Sequence, residues 1–278
     1  MPIRRVFEQY RGFRYYKNNT SILIKAIART KIDSSLTKEQ QISEGQAMLN
    51  YFSSMGKWGN QEKEDGLILH PENFTEFESQ CFYKYISESV YKQYILKGIF
   101  QLGSINYYRD TENKKIQDKM EGYSNLVINS NQRQVSIYLM SGFNFYIFCG
   151  TTSSNINDQM VKKFGQKIIE VPNIISFAKA IQKSIGAIRF YINTVQYSDL
   201  KIFSFTDNTF DAETSVSPDI NENVFDCLYN YSFLPSLFVK PSGFSDENEI
   251  RIVFEMPIDT KRYIRITNKG LLNKIKTK

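Results

Sequence analysis

A run of charged side chains that could do chemistry lies between Asp246 and Glu255, in the sequence DENEIRIVFE. Alternate residues of a β-strand share a face, so Glu247, Glu249 and Arg251 are predicted to line one side of a strand. Such a row is either a charge ladder on an amphipathic edge strand or the acid–base part of a catalytic site. The residues predicted to point from the same strand into the core are Ile250, Ile252 and Phe254.

A second group of chemically useful residues runs from Leu96 to Arg109, in the sequence LKGIFQLGSINYYR. Gly103 inside a strand, followed by Tyr107, Tyr108 and Arg109, would place rings and a cation beside backbone that a ligand can approach closely. The alternative interpretation is an ordinary strand followed by a charged loop.

Acidic residues follow this group, and their carboxylate oxygens suit a hard divalent cation such as Mg²⁺. The set that a magnesium-dependent nuclease would use comprises Asp110, Asp118, Glu121 and Glu249. This nuclease is one alternative function for the chain.

The single histidine, His70, and the three separated cysteines exclude several classes of site. One imidazole cannot build a two-histidine zinc site, and a Ser-His-Asp triad would have to use His70. Three cysteines without a Cys-x-x-Cys pair support neither a disulfide framework nor a cysteine zinc site, so we expect no metal and a cytoplasmic location. No apolar run reaches the roughly 18 residues of a membrane span, so we expect no membrane partner.

The net charge of +6 is concentrated at the two ends of the chain. Residues 1–38 contain nine Lys or Arg and two acidic residues, and residues 259–278 contain seven and one. The N-terminal arginines lie among Phe and Tyr, a combination that binds phosphates and stacks on bases. The alternative is a solvated arm, or an arm that docks on the acidic body. The candidate substrate-binding residues are Arg4, Arg5, Arg11 and Arg14.

The elements that must position these residues are predicted from caps and periodicity. Thr20 can cap a helix to Arg29, and Thr37 opens a capping box for a second helix to about Ser54. A polar linker then ends near residue 65, so the sequence predicts a basic helical extension at residues 1–65 and a catalytic domain at residues 66–278.

The larger domain is predicted to be α+β and built on antiparallel sheets. Ser87 caps a helix that Gly98 stops, and four β-like runs between Ile99 and Cys149 predict an antiparallel meander with a hairpin at residues 130–132. Two later helices end at glycine. The predicted later elements are the helices Ile156 to Phe164 and Ile174 to Ile185 and the closing strands Glu249 to Glu255 and Arg262 to Thr267.

Taken in order, these segments resemble the ADP-ribosyltransferase fold in its bacterial toxin and phage-defence branches, which include DarT-like proteins. Thr151-Thr152-Ser153 loosely resembles the Ser-Thr-Ser of some branches. The resemblance spans residues 82–254. The segments that carry it are Phe82 to Ile86 as the first strand, Tyr94 to Gly98, Gln101 to Arg109 with Asp118 to Gly122, and Ser245 to Val253 as the glutamate-bearing strand.

The resemblance implies a split antiparallel sheet that binds NAD, as a substrate, in an extended form. It implies that Glu249 holds the 2′-hydroxyl of the nicotinamide ribose and stabilises the positive charge that develops there. Glu247 would orient or deprotonate the acceptor, and Lys84 matches the position where relatives carry Arg or His. The other implied cofactor-binding residues are Tyr85, Gly98, Tyr107, Tyr108 and Arg109.

The function that follows from the resemblance is an NAD-dependent ADP-ribosyltransferase toxin that arrests growth or blocks phage, and that a neutralising antitoxin partner holds inactive. The basic, aromatic N-terminus favours RNA or DNA over protein as the acceptor. Besides the nuclease, the alternative is a non-catalytic module that binds nucleic acid or a partner, in which Glu247 and Glu249 are surface charges.

Overall fold

The computed structural model describes residues 5–8, 14–17, 20–31, 68–69, 81–130, 133–198, 201–206, 228 and 236–278. The chain divides into two compact units, and each unit is assembled from three separate stretches of sequence. The first unit comprises Met1–Thr75, Asp118–Gly142 and Tyr197–Ser242, and the second comprises Glu76–Gln117, Phe143–Gln196 and Gly243–Lys278. The predicted boundary at residue 65 lies outside the described residues.

The first unit contains a seven-stranded sheet with the strand order β1-β3-β8-β7-β13-β4, in which β2 also pairs with β3. Strand β13 runs parallel to its neighbours β7 and β4, and the other described pairs are antiparallel. The strands are β1 (Arg5–Glu8), β2 (Arg14–Lys17), β3 (Thr20–Lys31), β4 (Ile68–Leu69), β7 (Tyr123–Ser130), β8 (Arg133–Met140) and β13 (Ile202–Thr206).

Strand β3 replaces the helix predicted from Thr20 to Arg29, so the prediction of a helix was wrong there. Five of its twelve residues are Ile or Thr, whose branched side chains favour strands over helices. Strands β1 and β2 pair along one edge of β3 and β8 pairs along the other, and this pairing outweighs the local cap signal. The second predicted helix, from Thr37 to Ser54, lies outside the described residues.

The predicted four-stranded meander separates into two sheets. Strands β7 and β8 form the predicted hairpin, with Ser130 opposite Arg133. The first run ends earlier than predicted, because the Ser104 hydroxyl accepts a hydrogen bond from the Tyr107 N–H and starts a helix. That run therefore becomes strand β6 (Ile99–Ser104) and helix α2 (Ile105–Asp110), and β6 belongs to the sheet of the second unit.

The second unit contains an eight-stranded sheet with the order β11-β15-β9-β5-β10-β17, and β6 pairs with both β9 and β16. All of its described pairs are antiparallel, which is compatible with the predicted α+β class. Two further short strands of the chain are β12 (Gln196–Tyr197) and β14 (Val239–Lys240). The sheet comprises β5 (Phe82–Ile86), β6, β9 (Phe145–Thr151), β10 (Lys167–Val171), β11 (Arg189–Thr194), β15 (Glu249–Glu255), β16 (Tyr263–Thr267) and β17 (Lys276–Thr277).

This sheet splits along β9. Strand β15 pairs with the whole length of β9 on one side. On the other side β6 pairs with Tyr146 and Ile147, whereas β5 meets β9 only at Thr151, as far as the described residues show. The stretch from Phe148 to Gly150 therefore lies between two branches, β6–β16 and β5–β10–β17.

The core of the second unit lies on one face of this sheet. Ile250, Ile252 and Phe254 are buried there, which confirms the predicted inward face of β15. Helix α4 (Ile174–Ile185) covers the core and has the predicted bounds, with a left-handed Gly186 at its end. The other helices are α1 (Glu88–Gln93), which Ser87 caps as predicted, α3 (Asp158–Phe164), and the 3₁₀ helices Ile95–Lys97, Ser242–Glu247 and Lys269–Lys274.

No helix within the described ranges is both long enough and apolar enough to cross a membrane.

Candidate functional site

The predicted catalytic carboxylate, Glu249, is the first residue of β15 and is almost completely buried. Arg251 lies two residues further along the same face, and its Nε donates a hydrogen bond to Glu249 Oε1 at 2.5 Å. The side chains of Glu249 and Arg251 are 4% and 2% exposed. Strand β15 lies between β11 and β9, so the pair is not a charge ladder on an edge strand. Two charges are buried here because each compensates the other.

Glu247 does not share this row, contrary to the prediction. It ends the 3₁₀ helix Ser242–Glu247, and Asn248 then turns the chain with a positive φ of 42°. Asparagine is among the residues that tolerate this left-handed region best. Glu247 is also buried, and its carboxylate pairs with Lys163 of α3. The two glutamates are therefore neither surface charges nor neighbours on one strand face.

Lys84 lies in β5 and occupies the split in the sheet. Its Nζ donates a hydrogen bond to the carbonyl oxygen of Cys149 at 2.7 Å and lies 4.6 Å from the centre of the Phe148 ring. Cys149 belongs to the stretch of β9 that neither branch pairs with. Burial lowers the pKa of Lys84 below its ordinary value, while Cys149 and Glu249 act in the opposite direction. An ammonium group thus replaces a neighbouring strand as the partner of this carbonyl.

Tyr108 reaches the same cluster from helix α2. Burial raises its pKa well above the ordinary value, and Cys149 and Glu249 raise it further, whereas Arg251 acts in the opposite direction. The phenol therefore remains protonated at neutral pH and is available as a hydrogen-bond donor. A Cβ at Gly103 would lie 2.8 Å from the Tyr108 ring. The Tyr108 ring therefore fills the space beside Gly103 in which the sequence predicted that a ligand could approach the backbone.

Three other predicted cofactor residues have local structural contacts. The Tyr85 hydroxyl donates to the carbonyl of Asn155 and accepts from the N–H of Asn157, which ties the segment after β9 to β5. Gly98 has a φ of 72° and a Cβ there would lie 2.9 Å from the Lys269 Cα, so packing alone requires glycine. The Arg109 guanidinium donates to Asp110 and to Asn106 of its own helix.

Tyr107 lies next to Tyr108 of the cluster. Its ring packs edge-on against the Tyr108 ring, with 5.3 Å between their centres. Tyr107 and Tyr108 lie on helix α2, whereas the sequence predicted that they extend from a strand. The helix brings both rings over Gly103, where an added Cβ would lie 2.9 Å from the Tyr107 ring and 2.8 Å from the Tyr108 ring.

The N-terminal candidates are only partly placed. Arg5 lies in β1 and Arg14 lies in β2, both in the sheet of the first unit. The remaining candidate positions from the sequence lie outside the described residues. They are Arg4, Arg11, His70 and the acidic loop 207–223.

The ligand set of the alternative nuclease is not brought together. The Asp118 carboxylate accepts hydrogen bonds from Lys201 Nζ at 2.9 Å and from the Met120 N–H at 2.8 Å, and both charged side chains are buried. Across the part of the chain that the structure describes, no group of three or more His, Cys, Asp or Glu side chains could hold a metal ion. Asp118 therefore serves as half of a structural ion pair.

Two members of the site, Cys149 and Lys163, were missed by the sequence reasoning. Cys149 contributes a backbone carbonyl, for which no side-chain signal exists. Lys163 lies on α3, and its pairing with Glu247 joins positions 84 residues apart.

The cluster therefore combines one carboxylate, two cations and one phenol at the split of a sheet. Such a group can accept a hydrogen bond from a sugar hydroxyl, stabilise a positive centre with the carboxylate and bind phosphate with the ammonium. The chain matches no protein-family model, and the comparisons with curated proteins and with solved structures gave no match.

Proposed function

We propose that this protein is an NAD-dependent ADP-ribosyltransferase toxin whose acceptor is nucleic acid and whose activity a neutralising partner restrains. The observation that carries the proposal is the buried Glu249–Arg251 pair beside Tyr108 and Lys84 at the split in the sheet. Buried ionisable groups with shifted pKa values tend to cluster at functional sites. A split antiparallel sheet is also what the resemblance implies, and this is a second reason for the proposal.

The chemistry needs a carboxylate at the position of Glu249. The bond between C1′ of the ribose and the nicotinamide nitrogen breaks, and its electron pair leaves with nicotinamide. The ribose then acquires positive charge, as the sugar does in glycosidases. Glu249 would accept a hydrogen bond from the 2′-hydroxyl and stabilise this charge, while Arg251 fixes the orientation of the carboxylate.

The second half of the reaction forms a bond between an acceptor oxygen or nitrogen and C1′, and the acceptor loses a proton. Glu247 is the proposed base for this proton. In the structure Glu247 is paired with Lys163, so the acceptor would have to replace that contact. Because the two glutamates lie on different elements, they can serve the sugar and the acceptor separately.

The side chains at the split have the charges and hydrogen-bonding groups that NAD needs. Lys84 offers an ammonium group to the pyrophosphate, although as a point charge without the two-pronged geometry of arginine. Tyr108 offers a ring and a donor hydroxyl. The residue before Glu249 is fixed, since the Asn248 carbonyl accepts from the Thr151 hydroxyl and the Thr152 N–H.

The test uses the full chain and NAD labelled in its adenosine half. The label is offered with bacterial RNA, DNA and protein in separate tubes, and nicotinamide release is followed in parallel. Glu249→Gln is compared with Glu255→Gln, which changes an equally buried glutamate at the other end of the same strand. We expect labelled nucleic acid, at least about a hundredfold less with Glu249→Gln, and a change below about threefold with Glu255→Gln.

The outcomes separate the possible functions. Equal loss in both variants would assign Glu249 a purely structural role. Label in the protein fraction alone would keep the transferase and reject the nucleic-acid acceptor. No label and no nicotinamide release from folded wild-type protein, freed of any partner, would reject the transferase in favour of a binding module.

A further inference from the structure

The outer face of strands β6 and β16 carries a row of tyrosine and arginine side chains. In β16 Ile266 is buried in the core, so the alternate residues Tyr263 and Arg265 lie on the opposite, exposed face. The described partner of β16 in the sheet is β6 alone. The members of the row, here called the Tyr–Arg face, are Tyr94, Tyr107, Arg262, Tyr263 and Arg265.

The contacts within the Tyr–Arg face are continuous. The Arg265 guanidinium lies 5.1 Å from the Tyr94 ring and 5.3 Å from the Tyr263 ring. The Arg262 guanidinium lies 5.3 Å from the Tyr107 ring, and the centres of the Tyr107 and Tyr263 rings are 6.4 Å apart. Arg265 is also held by a 2.9 Å hydrogen bond from its Nε to Gln101. The guanidinium groups and rings therefore support one another in a fixed row.

This face is exposed and positively charged. The Tyr263 side chain is 43% exposed, which is high for a ring that could have packed into a core. Arg262 and Arg265 give the row two positive charges, and none of its five members is acidic. Rings in reach of solvent beside guanidinium groups suit a ligand that presents both flat bases and phosphates.

We infer that the Tyr–Arg face binds single-stranded nucleic acid, RNA or DNA. Unpaired bases can stack on tyrosine rings, and guanidinium groups can contact the phosphates of a strand that follows the row. A duplex keeps its bases stacked on one another, so it offers the rings nothing to stack on. The two guanidinium groups of the row favour a polyanion over a basic partner.

The Tyr–Arg face ends beside the candidate site, because Tyr107 belongs to the row and its ring contacts Tyr108 of the cluster. A strand on this face would therefore lead towards Glu249. The inference deepens the proposed function, and it rests on that function only where the bound strand is taken to be the acceptor. The arginines predicted to bind the substrate lie in the N-terminal segment, whereas the two arginines of this face are Arg262 and Arg265.

Binding is measured by fluorescence anisotropy with the full chain and without NAD. The probes are labelled oligo(U) and oligo(dT) of about 15 nucleotides, within the usual range of single-strand site sizes, and a duplex of the same length. We expect both single strands to bind and the duplex to bind at least about tenfold more weakly. Comparison of the two strands shows whether RNA or DNA is preferred.

The variants test the two components of the face. Tyr263→Ala and Arg265→Ala should each weaken single-strand binding about tenfold, because a stack or a cation–π contact is lost. Tyr263→Phe keeps the ring and should bind within about twofold of wild type. Lys162→Ala removes a positive charge from an exposed position of α3 and should also bind like wild type. The thermal midpoint of each variant checks that it is folded.

Two results would overturn the inference. One is equal binding of duplex and single strands, or equal weakening by Lys162→Ala and Arg265→Ala, since either would mean general charge attraction. The other is no binding of either strand, which would leave a protein with an acidic surface as the occupant. The binding assay contains no NAD, so it can fail independently of the transferase assay. Strand binding without NAD turnover would support the Tyr–Arg face as a binding site and reject the transferase. NAD turnover without strand binding would support the transferase and reject this binding site.

Discussion

The two ends of strand β15 carry the same residue in different surroundings. Glu249 and Glu255 are both buried, lie on the same face of the strand and pair with an arginine. Glu255 pairs with Arg189, which lies directly opposite on β11 and is 55% exposed, and it also accepts a hydrogen bond from the Tyr191 hydroxyl. Glu249 pairs with Arg251 of its own strand, and that side chain is 2% exposed.

The difference follows from the pairing of β9. Beside Glu255 the neighbouring strands are paired in register, so the ion pair joins two strands and reaches solvent through Arg189. Beside Glu249 the sheet splits, Lys84 occupies the gap, and Tyr108 is near enough for its pKa to be affected by Glu249. Strands that are fully paired through their backbones leave no room for a ligand. In a gap that side chains fill, a ligand can displace those side chains. The comparison shows why only one of two equivalent glutamates is a candidate for catalysis.

The largest expected effect on stability comes from removing each arginine. Arg251→Met leaves Glu249 buried without its partner, so we expect the free energy of unfolding to fall by about 3–5 kcal/mol. Arg189→Met removes a partner that is itself half-exposed, and Glu255 keeps the hydrogen bond from the Tyr191 hydroxyl, so the loss should be smaller than with Arg251→Met. Urea denaturation measures both values. The double variant Glu249→Gln with Arg251→Met should regain part of the loss, and equal losses from the two single variants would break the comparison.

A smaller effect on the free energy of unfolding is expected from a substitution where β5 meets β9. A Cβ at Gly150 would lie 2.4 Å from Cζ of Phe82 and 2.5 Å from the carbonyl oxygen of Tyr83, and the backbone there cannot move freely. Gly150→Ala should therefore lower the free energy of unfolding by about 1–3 kcal/mol. Gly243→Ala, at a position with no atom within 4 Å of the added carbon, should change it by less than about 0.5 kcal/mol.

If Gly150→Ala is as stable as wild type in urea, β5 and β9 do not approach as closely as the structure has them. The split that distinguishes Glu249 from Glu255 would then need another explanation. A loss of stability confined to Gly150→Ala would sharpen the comparison, because the end of β15 near Glu255 has no glycine opposite it on β9.

The features that the sequence predicted correctly depend on short-range patterns. The alternation in β15 places Ile250 and Phe254 in the core, and Asn173 and Gly186 flank a helix with the predicted bounds. A period or a cap is determined by a few neighbouring residues, so it can be recognised in one sequence.

The features that could not be predicted from the sequence depend on a single backbone angle or on strands that are distant along the chain. Glu247 leaves the predicted row because Asn248 adopts a positive φ. The segment from Thr20 becomes a strand because β8, more than a hundred residues away along the chain, pairs with it. The split beside Glu249 likewise depends on where β5 and β6 reach β9, and residue spacing does not encode this distance.

The smallest expected effect is a pH dependence at Lys84. Burial lowers the pKa of Lys84 in the folded protein, whereas an unfolded lysine has a pKa of about 10.4. Below both values lysine is charged in each state, and the folded protein bears the whole cost of burying that charge. As the pH rises through the lowered pKa, the folded state loses its proton first, so wild type gains stability relative to Lys84→Met.

The measurement is the difference in free energy of unfolding between wild type and Lys84→Met, from about pH 7 to about pH 10. We expect this difference to become steadily more favourable to wild type across that range. Groups that titrate in both proteins cancel in the difference, including tyrosines that ionise near the upper limit. A difference that stays constant, or that falls with pH, would mean that the split in the sheet does not desolvate Lys84 and that the surroundings of Glu249 resemble those of Glu255 more closely than their geometry implies.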